Sequence, residues 1–112
     1  MNPESSSSTS TPTVVALEGE IDLHESPQVM ERLNPLIAKQ SPRIHLDLSR
    51  VSYIDSSGLA TFIDAMQRIQ AYGGEFALIA MRESVHKIFE ISRLDQVFKI
   101  YPGGDTGVAV PA

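Results

Sequence analysis

Between Ile44 and Ile69 the spacing of the apolar residues changes, and the change falls on Asp55-Ser56-Ser57-Gly58, two hydroxyls and a glycine behind an acidic residue. Ahead of it Ile44, Leu46 and Leu48 alternate with His45 and Asp47, the two-residue period of a half-buried strand. Beyond it Leu59, Phe62, Ile63, Met66 and Ile69 recur at helical spacing. A strand that runs straight into a helix points to a layered α/β fold. It also places Ser56 where a helix start offers unpaired N–H groups and a positive dipole end, an environment that receives an oxygen or a phosphate well. Ser56 is the leading candidate for a functional residue.

The rest of the chain repeats the alternation. Residues 13–18 are a β-branched run closed by Gly19, which predicts a buried strand followed by a connection over residues 19–25. Ser26-Pro27 reads as a helix start, with Ser26 as the cap, and Val29, Leu33, Leu36 and Ile37 share one face toward Lys39. Pro35 should kink that helix or end its regular part early. Ser41-Pro42 precedes a strand over residues 43–48, which leads through residues 49–54 into the serine turn. Gly73-Gly74 supplies the backbone that helix ends use, residues 75–80 form a continuous apolar strand, and Val85, Ile88 and Phe89 mark a shorter helix. Residues 96–101 read as an edge strand. The order predicts a single α/β domain over residues 13–101, with helices packed on a small mixed, mostly parallel sheet.

Outside that domain the Ser/Thr/Pro-dominated residues 1–12 lack the apolar surface to offset ordering entropy and read as a disordered tail. Residues 102–112 read as a flexible C-terminal tail. At 112 residues there is room for one core. A net charge of −5 disfavours nucleic acid and anionic membranes as partners. The absence of cysteine removes disulfides, thiol catalysis and thiolate metal sites. With no apolar run long enough to span a bilayer and no signal-peptide layout at the start, a cytoplasmic location is expected.

The chemistry of the serine turn has two readings on spacing alone. Ser or Asp at a helix start is favoured for capping, so the tetrapeptide could be purely structural; two serines before a glycine exceed what one cap needs. A hydrolase nucleophile elbow requires glycines two residues before and after the serine, whereas Ile54 and Gly58 flank Ser56. His24, His45 and His86 lack metal-ligand spacing, and the strand and helix settings of His45 and His86 favour solvent-facing roles. Gly73-Gly74 has no following Lys-Ser or Lys-Thr and sits at a helix end, so it is no phosphate loop. Arg82, Lys87 and Arg93 read as a solvated helix face. Neither a metal nor a cofactor is expected, and the protein is not expected to be an enzyme.

Five segments carry a wider pattern: Gly19-Glu20-Ile21-Asp22, Leu46-Asp47-Leu48, Asp55-Ser56-Ser57-Gly58-Leu59, Gly73-Gly74-Glu75, and the stretch from Val85 to Leu94. In order and spacing they resemble the bacterial anti-sigma factor antagonists of the STAS domain family, from about Val14 to Tyr101. The resemblance implies a non-enzymatic switch in which a serine kinase, itself the anti-sigma factor, phosphorylates Ser56, and a serine phosphatase reverses it. It further implies that Asp22 and Asp55 shape the partner contact and that Ser57 and Gly58 hold the turn. The family also has a leading strand and a C-terminal helix where this chain has a Ser-rich start and a Gly-rich end, which leaves edge completion and a homodimer open. A STAS scaffold module whose serine is not phosphorylated is the alternative, and a small-ligand receptor is a third reading.

Overall fold

The computed structural model describes residues 11–102. The expectations for residues 1–10 and 103–112 lie outside them; Thr11 and Pro12 carry no regular secondary structure, and Pro12 is buried. The described residues alternate strictly as β1 (Thr13–Ile21), α1 (Ser26–Ala38), β2 (Arg43–Ile54), α2 (Ser56–Ala71), β3 (Glu75–Ile79), α3 (Glu83–Ile91) and β4 (Lys99–Tyr101). The strands form one sheet in the order β1-β2-β3-β4, and each pairing among them is parallel.

A sheet laid down in simple chain order with a helix after each strand carries its helices on one face, because the crossovers keep the same hand. Every second strand residue accordingly meets the helices. Val15, Leu17, Ile44, Leu46, Leu48, Phe76 and Leu78 join Val29 and Leu33 of α1, Phe62, Met66 and Ile69 of α2, and Val85 and Phe89 of α3 in one apolar cluster. Phe89 packs between Phe62 and Phe98, with ring centroids 6.5 and 5.6 Å away. Each side chain of this size stabilises the fold by about 1.5–3 kcal/mol when fully buried.

The boundaries differ from the sequence pattern where the backbone does something a periodicity does not encode. β1 passes through Gly19 to Ile21, because Gly19, at φ +79°, sits between two register shifts instead of ending the strand. Both shifts give β2 an extra residue, so its 12 residues run beside the 9 of β1, and the Asp47 carboxylate accepts the Ser49 N–H at the first of them. Ser26 is not the cap of α1. It is buried as the first helical residue and its hydroxyl donates to Asp22 O, while the preceding turn is held by Asp22 Oδ1, which accepts from the N–H groups of His24 and Glu25. Pro35 neither ends nor shortens α1, which continues to Ala38; the N–H it lacks would have served the carbonyl of Glu31, an exposed residue that water can reach. β3 stops at Ile79, and β4 is three residues long, shorter than the run from 96 to 101.

The three helices end alike. After α2 the N–H groups of Gly73 and Gly74 donate to Gln70 O and Ile69 O; after α1 and α3 the equivalent positions are Gln40-Ser41 and Arg93-Leu94. The first residue of each pair has positive φ, +85° at Gly73 but +56° at Gln40 and +63° at Arg93. A side chain in that region costs about 1–2 kcal/mol, of which glycine returns about 0.5–1 kcal/mol in unfolded-state entropy. Gln40→Gly is therefore expected to stabilise the protein by about 0.5–1 kcal/mol, read as a higher urea midpoint at unchanged slope.

Candidate functional site

The parallel pairing of β1 and β2 ends at Ile21 opposite Ile54, so the residues that follow, Asp22 and Asp55, leave the same edge of the sheet side by side. The Asp55 N–H donates to Ile21 O at 3.1 Å, tying the start of α2 to the end of β1. Both carboxylates serve the backbone through one oxygen. Asp22 Oδ1 accepts from His24 and Glu25, each at 3.0 Å, and Asp55 Oδ1 accepts from Ser57 at 2.8 Å and Gly58 at 3.1 Å. Asp55 is thus the N-cap of α2, a role worth about 1 kcal/mol.

That assignment says which residue of the tetrapeptide caps the helix. The helix start is capped by the aspartate, and Ser56 is the first helical residue, exposed, with its hydroxyl in no hydrogen bond among the described residues. Ser57 is half-buried and gives its N–H to the cap. Gly58 is buried because no side chain fits: a Cβ there would lie 2.7 Å from Ile21 O and 2.7 Å from Ile54 Cγ2. The five residues singled out by sequence therefore lie together at the adjacent ends of β1 and β2, with Gly58 buried, Asp22, Asp55 and Ser57 half-buried and Ser56 exposed. Asp22 and Asp55 tie down the turn backbone through the N–H groups of His24, Glu25, Ser57 and Gly58, and the Ser56 side chain takes no part in these bonds.

Beside Ser56 lies a shallow depression of about 590 Å³ lined by Asp22, Leu23, His24, Pro27 and Asp55. Leu23 is 73% exposed and Tyr53, two residues before the cap, 49% exposed. Neither stands out by spacing: Leu23 is an apolar side chain in an otherwise polar turn, and Tyr53 is near the end of β2. Of the histidines, His24 lines the depression, while His86 of α3 sits 3.5 Å from Glu90 one turn on. His45, expected to face solvent, is fully buried instead, with Glu75 3.4 Å from its Nε2 and the Tyr101 ring beside it. Among the described residues no three His, Cys, Asp or Glu side chains gather as metal ligands, and no helix is long and apolar enough to cross a membrane.

Comparison with known proteins places this geometry in a family. The sequence pattern of the STAS domain matches residues 3–106. The anti-sigma-B factor antagonist of Bacillus subtilis is 33% identical over 94 residues, 84% of this chain and 85% of that protein. An anti-sigma factor antagonist from Mycobacterium paratuberculosis superposes with a TM-score of 0.72 at 27% identity, covering 80% of this chain and 76% of the other. The anti-sigma factor antagonist SpoIIAA in its unphosphorylated form superposes at 0.69 and 27% identity, over 81% of each chain; its phosphorylated form gives 0.60 at 26%, over 78% and 79%. The chain belongs to the STAS domain family, in the company of that family's anti-sigma factor antagonists.

Proposed function

We propose that this protein is an anti-sigma factor antagonist worked by phosphorylation. Unmodified, it binds an anti-sigma factor serine kinase through the surface formed by Asp22 and residues 55–58, and the sigma factor is freed. Transfer of the γ-phosphoryl group of ATP to Ser56 Oγ, with loss of the hydroxyl proton and release of ADP, ends the binding. A serine phosphatase restores it. The observation that carries this reading is the division of labour at the helix start, where Asp55 takes the cap and leaves the Ser56 hydroxyl exposed and unengaged. The names of the relatives support the assignment, as does SpoIIAA, a structural neighbour solved both without and with phosphate. The site supplies recognition and an acceptor oxygen, and the kinase supplies the catalysis.

Incubation with an anti-sigma factor kinase, ATP and magnesium, followed by intact mass and peptide mapping, is expected to show one phosphate on Ser56 and none on the Ser56→Ala variant. A phosphate confined to the serines of residues 5–10 overturns the site. No phosphate at all is the outcome the scaffold reading predicts.

A further inference from the structure

The face of the sheet opposite the helices holds a polar network that the proposed switch does not use. His45 has no exposed surface, and neither ring nitrogen has a hydrogen-bond partner among the described residues. Its Nε2 lies 3.4 Å from Glu75 Oε2, longer than an ordinary N–H···O bond but close enough for the carboxylate to favour a proton on the ring. The same oxygen accepts the Tyr101 hydroxyl at 2.9 Å, while Glu75 Oε1 accepts from Arg43 Nε at 3.1 Å. The Tyr101 ring leans against the imidazole, centroids 5.6 Å apart and planes tilted by 53°. One carboxylate therefore ties together β2, β3 and β4.

The groups around the imidazole come from all four strands. Its register partners are Val14 on β1 and Ala77 on β3, and Ala77 in turn pairs with Lys99 on β4. Arg43 and Asp47 stand two residues to either side on β2, Glu75 is on β3 and Tyr101 on β4. Burial disfavours the imidazolium most. Glu75 works against that, Arg43 and Lys99 add to it, and His45 ends below the ordinary histidine value. Glu75 stays ionised through the same range. Burial alone would raise its pKa, but the Tyr101 hydroxyl, Arg43, Lys99 and His45 together bring it below the usual carboxylate value.

We propose that His45 is the trigger of a proton-operated latch on β4, in which protonation of the buried imidazole breaks the seal made by Tyr101 and loosens this strand. An imidazolium carries two N–H donors. The one on Nε2 has Glu75 Oε2 within reach; the one on Nδ1 has no acceptor among the described residues and must reach water. The ring packed against the imidazole belongs to Tyr101, at the end of a three-residue strand with a single neighbour among the described residues. That end is held by the Tyr101 hydroxyl on Glu75 and by the Ala80 N–H on Tyr101 O at 3.1 Å. Local opening follows the element with the fewest ties. β4 also lends Lys99 to a surface depression shared with Gln70 and Glu75, and Ile100 to another shared with Met81, His86 and Asp95, so its release reshapes both.

The sign is fixed by linkage. The unfolded chain takes up the proton near the ordinary histidine value of about 6.5 and the native site resists it, so the stabilisation from neutral His45 is complete above that pH and is lost as pH falls below it. The test is nitrogen-15 NMR on the full chain, titrated from about pH 7.5 to about 5, the window in which histidine changes charge. The expected result is a His45 midpoint below the ordinary value and, at the same midpoint, at least a tenfold loss of hydrogen-exchange protection at the Ala80 and Tyr101 amides. His45→Phe is expected to keep that protection across the range, and Tyr101→Phe to have lost part of it already at the top of the range. Protection that survives the His45 titration, two midpoints that differ, or the same acid loss in His45→Phe overturns the latch. Should His45→Phe not fold, the two wild-type midpoints decide alone.

Discussion

Ser56→Asp is expected to bind its anti-sigma factor kinase at least tenfold more weakly than the wild type, and Ser56→Ala to bind it with unchanged affinity, in calorimetric titrations at matched ionic strength. The reason lies in what surrounds the added charge. Asp55 cannot swing away, because its carboxylate is pinned by the N–H groups of Ser57 and Gly58, and Asp22 is held in the same way one strand over. A phosphate brings about −1.5 to −2 charges beside them at neutral pH. The helix start returns only about 0.3–1 kcal/mol of that repulsion. A charge that docking must strip of water beside two fixed carboxylates, with no opposite charge built for it, costs several kcal/mol, and each 1.4 kcal/mol is tenfold in affinity, so a mimic with one charge is sufficient for the tenfold loss. Since the new charge sits on an exposed residue at a capped helix start, the thermal midpoint should hardly move. The difference in affinity should also shrink as salt is raised. Equal affinities of wild type and Ser56→Asp at low salt would sink the switch while leaving the fold assignment untouched.

Gly58→Ala is the substitution with the largest expected effect on the structure of the site. The new Cβ would meet Ile54 Cγ2 and Ile21 O at 2.7 Å and Ile21 Cγ2 at 3.0 Å. A side-chain methyl can turn aside, but the carbonyl of Ile21 cannot, because it accepts the Asp55 N–H that fixes the start of α2. Overpacking of this kind costs about 1–3 kcal/mol, a fall of roughly 4–8 °C in thermal midpoint per kcal/mol for a domain of this size. Phosphorylation of Ser56 should slow along with it, since the helix start must lift from β1 to make room. A stability within about 0.5 kcal/mol of wild type would show that the strand ends give way easily, and the site would then be softer than its hydrogen bonds imply.

Much of this was legible in the residues. The change of apolar period marked the start of α2, and the stripe from Leu59 to Ile69 is on the buried side with only Ile63 half out; the strand read over residues 43–48 instead continues to Ile54, because its pairing with β1 carries on through two register shifts that local alternation does not encode. Ser56, Ser57, Gly58, Asp22 and Asp55 were named before any geometry. Which of them caps the helix was open on spacing alone, because a capping pattern does not say which of two neighbouring polar residues turns inward. The same limit explains Ser26, which looked like a cap and is a buried first-turn residue whose hydroxyl serves the Asp22 carbonyl. Gly19 reads as a strand end from composition, yet it lies at register shifts that only the partner strand defines.

His45 marks the boundary most clearly. By alternation it belongs on the polar side of β2, and it is there, opposite the side of Ile44 and Leu46. Local pattern fixes on which side of a strand a residue stands, because the two-residue period is a property of the backbone. Whether that side meets water depends on residues remote in the chain, here Glu75 and Tyr101, brought to it by parallel pairing across three strands. The order of strands and helices and the position of the serine turn at a helix start were thus written in the chain, since both follow from spacing within a few residues. The sealed histidine, the capping role of Asp55 and the close fit at Gly58 were decided by tertiary structure, because each is a contact set by groups the local pattern does not position.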